Sequence, residues 1–79
     1  MPRDRKYGRV LVESGAIPED EPVFVLRAKD RASLQTMIAY KAACLGVGAG
    51  MEHIARIDDS VREFRRWRAA NVRRMKVPD

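Results

Sequence analysis

At 79 residues the chain has room for one domain, and folding at that size buries only about 60% of the unfolded surface, so the core needs reinforcement. A single cysteine, Cys44, excludes an internal disulfide, and Cys44 with the single His53 falls short of a structural zinc site, which leaves self-association as the expected device. Sixteen Lys and Arg against eleven Asp and Glu give a net charge of +5, and no apolar run approaches a bilayer span, so composition points to a cytoplasmic protein with an anionic partner and no membrane.

In chain order, the start MPRDRKYGRV is basic, with Arg3, Arg5, Lys6 and Arg9 against Asp4, and residues 1–6 are expected to be disordered. YGRVLVE, residues 7–13, favours a short strand, and SGAIPEDE, residues 14–21, reads as a turn or loop around Gly15 and Pro18. Pro22 then opens VFVLRA, a β-branched and aromatic run of strand length. Its continuous apolarity calls for burial on both faces, more than one small sheet supplies, so pairing across a subunit interface is expected. From Ser33 the period changes, and Leu34, Met37, Ile38 and Leu45 follow helical spacing, with Ser33 or Asp30 as N-cap. GVGAG, residues 46–50, ends that helix. A second helix is predicted over residues 51–71, with Ile54, Ile57, Val61 and Phe64 on one face and Trp67 one turn further. Glu52 with Arg56 and Asp58 with Arg62 stand at i,i+4 and support it. Residues 75–79 read as an irregular tail. The order predicts a single α+β domain over residues 1–79: a short β-hairpin followed by two antiparallel α-helices, completed by homo-oligomerisation.

The residues favour binding over catalysis. His53 has no evident partner for proton transfer, and Cys44 lies on an Ala-rich face where a small buried hydrophobe fits better than a nucleophile. GVGAG lacks the Lys-Ser/Thr and the preceding strand of a phosphate loop, and Asp58 and Asp59 are adjacent on a helix and do not face each other. No catalytic residue, metal or cofactor is therefore expected. Arg27, Lys29 and Asp30 leave the end of the apolar run together, where Arg could fork onto phosphate and Asp could orient it or accept from a base edge. The scaffold reading of the same residues is a salt bridge at a strand end. Arg66, Trp67 and Lys76 join the candidate set from the basic C-terminal stretch, where an indole beside Arg65, Arg66 and Arg68 could stack on a ligand. Trp67 also continues the apolar stripe, as a core residue would. Tyr7 and Tyr40 could stack or hydrogen-bond. A strand followed by two helices is also the order of ribbon-helix-helix regulators, but neither alternate set of residues 23–28 is a polar face for reading bases, and Glu19 to Glu21 would repel phosphate.

IPEDEPVFVLRAKD, the helix after it, Trp67 within EFRRWRAAN and the closing KVPD resemble a group of short proteins encoded by tailed bacteriophages, marked by DEPVF-LRA-D and a terminal K-PD. The likeness spans Ile17 to Asp79 and leaves residues 1–9 uncovered; the second helix is more Arg-rich than the pattern, and Leu34 stands where the pattern has Pro. The resemblance implies a phage accessory protein acting in the host bacterial cytoplasm. By analogy of size, charge and setting with small oligomeric phage sponges, it implies a non-enzymatic anti-defence protein that sequesters an anionic nucleotide ligand, such as a cyclic nucleotide immune signal. The alternatives are a nucleic-acid-binding protein using the two basic segments, and a protein–protein inhibitor or virion component pairing through the apolar strand.

Overall fold

The computed structural model of the chain describes residues 1–78. Three two-residue strands come first: β1 (Arg3–Asp4), β2 (Gly8–Arg9) and β3 (Pro22–Val23). Two helices follow, α1 (Ser33–Gly46) and α2 (Met51–Ala70), and then a 3-10 turn at Val72–Arg74. The sheet order is β2-β1-β3. β1 pairs antiparallel with β2, Arg3 opposite Arg9 and Asp4 opposite Gly8, and parallel with β3, Arg3 opposite Pro22 and Asp4 opposite Val23. The chain has an α+β fold.

The strands differ from their expected places for a physical reason. The basic start, expected to be disordered, holds the central strand, and the hairpin lies between residues 3 and 9 rather than between 7–13 and 23–28. Asp4 decides this: its buried carboxylate accepts from the backbone N–H of Lys6 (2.8 Å), Tyr7 (2.9 Å) and Val25 (2.7 Å). The first two bonds close an Asx-type turn, and Gly8 supplies the positive φ (+81°) with which the chain returns. The third bond takes the Val25 N–H, which a longer β3 would give to a backbone carbonyl, so the apolar run leaves the sheet after Val23. Pro22 fits at the first residue of that edge strand. Phe24 stays 86% exposed, so burial of the run on both faces is not achieved within one chain.

α1 begins at the expected residue but without the expected cap. Ala32 occupies the N-cap position with no side-chain bond, and the buried Ser33 hydroxyl instead donates back to the Asp30 carbonyl at 2.8 Å. Gly48, at φ +78°, turns the chain after α1; the Val47 and Ala49 N–H groups return to the Ala43 and Cys44 carbonyls. Four residues join the helices, which pack antiparallel: Tyr40 meets His53, and Lys41 Nζ lies 2.7 Å from Asp58. That ion pair diverts Asp58 from its expected partner, and Arg62 bonds Asp59 instead, while Glu52 and Arg56 pair at 3.2 Å as the spacing predicts. The core is Cys44, Ile54, Ile57 and Val61, with Leu34, Met37 and Ala49 packed against it. After the 3-10 turn the tail is irregular yet tied down. Lys76 N–H donates to the Lys29 carbonyl (2.8 Å), and Arg31 N–H donates to the Lys76 carbonyl (2.8 Å). Asp79, the last residue of the expected tail, lies outside the described residues. Among the described residues no helix is long and apolar enough to cross a membrane.

Candidate functional site

A cleft of about 640 Å³ opens where the hairpin turn, the extended segment after β3 and the start of α1 meet. The hairpin contributes Asp4, Arg5, Lys6 and Tyr7, β3 contributes Val23, and the extended segment contributes Phe24, Val25 and Leu26. Asp30, Ala32, Ser33 and Thr36 close it at the start of α1, with Pro78 from the tail. Each wall follows from local sequence. Asp4 folds the turn that presents Tyr7, and its bond to Val25 N–H holds Phe24 and Leu26 on the opposite wall. The tail bridge at Lys76 holds residues 29–31, and hence the entry to α1, in place.

The chemistry of the cleft is apolar within and basic at the rim. Arg27 Nη1 donates to the Tyr7 hydroxyl at 3.3 Å; the Arg27 guanidinium and the Lys6 ammonium each lie 5.6 Å from the centre of the Tyr7 ring. Such contacts hold a cation over the negative face of a ring. Asp4, although it lines the cleft, is committed to structure. The backbone N–H groups of Tyr7, Val25 and Lys6, with the Lys6 charge, hold its carboxyl below the ordinary carboxylate range and outweigh the desolvation that raises it. Asp30 is the second carboxylate of the cleft, half-buried 3.5 Å from Lys29 Nζ. Ser33 offers little to a ligand, because its hydroxyl proton is bound to the Asp30 carbonyl. Thr36 likewise donates to the Ala32 carbonyl, at 2.8 Å, keeping its oxygen lone pairs.

The residues predicted from sequence divide into two places. Asp30 lines the cleft, Arg27 reaches it through Tyr7, Lys29 pairs with Asp30, and Lys76 joins them through its backbone. Arg66 and Trp67 do not line it. Trp67 is half-buried, with the Arg74 guanidinium 4.8 Å from its ring centre, while Asn71 links the two by bonds to the Trp67 carbonyl (2.8 Å) and from Arg74 (3.2 Å). Sequence reasoning missed Asp4, Arg5, Phe24 and Thr36 as cleft residues. The signal for Asp4 was present in DRKYG, an Asx-turn pattern closed by glycine.

His53, without an evident partner in the sequence, meets the Tyr40 hydroxyl through Nε2 at 3.3 Å, with the rings edge to face. The neighbouring Cys44, first as a hydrogen-bonding partner and then through the negative charge of its ionised form, raises the Tyr40 pKa above the ordinary phenol value, with partial desolvation acting in the same direction. Among the described residues no group of three or more His, Cys, Asp and Glu side chains could hold a metal ion. No protein-family model, curated protein or solved structure matches the chain.

Proposed function

We propose that this is a non-enzymatic phage accessory protein that binds and sequesters an anionic nucleotide-type ligand in the cleft beside Tyr7. One observation carries the reading: an apolar-walled space of about 640 Å³ is rimmed by Arg5, Lys6 and an Arg27 seated over Tyr7, next to a Phe24 that is 86% exposed. That volume falls in the range of about 300–1,000 Å³ typical of small-molecule sites, which combine apolar walls with a few placed polar groups. A nucleobase stacks on the exposed Phe24, while Arg5 and the Arg27 seated over Tyr7 meet phosphate with forked hydrogen bonds. Asp30 and the Thr36 hydroxyl accept from the base edge or a sugar hydroxyl.

The ligand class this favours is a compact cyclic nucleotide, the kind of signal used in bacterial immunity, and the protein works as a homo-oligomer in the host cytoplasm. The four-residue core and the exposed Phe24 support the oligomer, since a chain of this size gains little from its own burial. Native mass spectrometry with a panel of cyclic oligonucleotides tests the reading. A discrete oligomer takes up a whole-number complement of one ligand, and Arg27→Ala weakens that binding by about 1.5–3 kcal/mol, the range for a hydrogen bond to a charged group. An oligomer that ignores the whole panel overturns it.

A further inference from the structure

α1 is apolar beyond the side it buries. Of its 14 residues only Lys41 is charged, and Leu34, Met37 and Cys44 already pack in the core with α2. A helix that is apolar on more than one side calls for cover on more than one side. Two interhelical contacts mark the flanks of the helical pair: Tyr40 meets His53 on one, and Lys41 meets Asp58 on the other. The Lys41 flank carries Ile38 and Leu45, three residues before and four after Lys41, with Ala42 on their outer side. On α2, Met51 and Arg65 each stand seven residues from Asp58, so they share its flank, Met51 toward the link and Arg65 at the far rim. Ile38, Ala42, Leu45 and Met51 are all exposed, and none of them lines the cleft.

Surface area and charge say what covers this flank. The chain exposes 6328 Å², whereas a folded monomer of 9.0 kDa exposes about 4,900 Å². The excess, about 1,400 Å², is more than the roughly 800 Å² that each partner gives to a standard interface. The radius of gyration, 13.9 Å, likewise exceeds the value of about 11.6 Å for a compact chain of 79 residues. Two chains of charge +5 repel, so they meet best where charge is balanced. From Ser33 to Glu63 it is. Lys41, Arg56 and Arg62 stand against Glu52, Asp58, Asp59 and Glu63, and each cation has its acid: Lys41 with Asp58, Arg56 with Glu52, Arg62 with Asp59.

We infer that the flank of the helical pair formed by Ile38, Ala42, Leu45 and Met51 is where a second copy of the chain docks, in a two-fold interface with the α1 helices antiparallel. The inference rests on the association proposed above and gives it a surface. In a two-fold interface the same residues face each other in reverse order. Ile38 then meets Leu45 of the second copy and Leu45 meets its Ile38, while the small Ala42 near the axis lets the helices close. Lys41 also comes near the axis, where it would face its own copy, and Asp58 neutralises it within each chain. The cleft shares no residue with this interface, so ligand and second copy do not compete.

Analytical ultracentrifugation of the full chain without ligand tests it. The wild type sediments at twice the chain mass of 9.0 kDa. Ile38→Lys and Leu45→Glu each set a charge against an apolar side chain of the second copy and weaken association at least about 100-fold. Both alter exposed helix positions, and circular dichroism checks that both are folded. Mixed in equal amounts the two variants associate again, because the new ammonium of one meets the new carboxylate of the other and the second Ile38–Leu45 contact is native. Leu11→Glu, the same charge at an exposed apolar residue outside the helices, leaves the dimer in place. A monomeric wild type, an oligomer that neither helix variant disturbs, or variants that stay apart on mixing would overturn the inference. Titrating the cyclic oligonucleotide panel into the dissociated variants reads the cleft separately, so failure of the interface is told apart from failure of the ligand reading.

Discussion

Asp4 shows how much one side chain can organise in a small fold. Its carboxylate joins the hairpin turn to the segment after β3, so both walls of the cleft depend on three hydrogen bonds at 2.7–2.9 Å. Because those bonds lower its folded pKa below the unfolded value, its contribution is fully present above the unfolded value and disappears as pH falls through the folded one. Thermal melts of wild type and Asp4→Asn should therefore differ by a constant gap at neutral pH that closes in acid, below about pH 4. Asp4→Ala, which retains no acceptor, lowers the melting temperature further than Asp4→Asn. Phe24 is the contrasting case. With 86% of its surface exposed, Phe24→Ala should change stability by no more than about 0.5 kcal/mol while weakening uptake of the cleft ligand, read by denaturation and titration calorimetry side by side. A large stability loss would instead make Phe24 part of the scaffold.

Among the elements, the helical pair is the better specified half. Leu34, Met37, Ile54, Ile57 and Val61 carry the helical period that the packing uses, with Cys44 buried in place of the expected Ile38 and Leu45, which stay exposed, and the glycine-rich link turns where Gly48 adopts positive φ. Two glycines at that turn, Gly46 closing α1 and Gly48 in the link, should respond oppositely to alanine. Gly48→Ala forces a side chain into the left-handed region and costs about 1–2 kcal/mol. Gly46 has an ordinary φ and open space where a methyl group would stand, so Gly46→Ala should be neutral or stabilising by up to about 1 kcal/mol. Urea midpoints of the two variants decide it. The strands were less legible. VFVLRA has strand composition, but one tertiary hydrogen bond, Val25 N–H to Asp4, ends β3 after two residues.

At the scale of the whole molecule, stability is thin. A domain of this length is worth about 4–12 kcal/mol, and the core holds four buried apolar side chains. Ile57 is one of them, 7% exposed, and Ile57→Ala should cost about 2–5 kcal/mol, up to the full stability of the isolated chain. Chemical denaturation followed by far-UV circular dichroism measures it. A dependence of the midpoint on protein concentration would show that association supplies the remaining stability. Charge is also arranged at this scale. Acids near residues 19–21 answer the basic start, and the excess collects at the end of α2, away from the cleft lining.

By itself the sequence determined the two helices, the turn between them, the Glu52–Arg56 pair on the second helix and the class of fold. Those properties depend on local periodicity, on glycine's backbone freedom and on charges close together in the chain. Only the tertiary structure decided where the strands form, that the basic start lies at the centre of the sheet, that Lys76 holds Lys29 and Arg31, and that Arg66 and Trp67 stand apart from the cleft. Each of these rests on a contact between residues distant in sequence, Asp4 with Val25 or Lys29 with Lys76, and neither composition nor spacing along the chain encodes such a pairing.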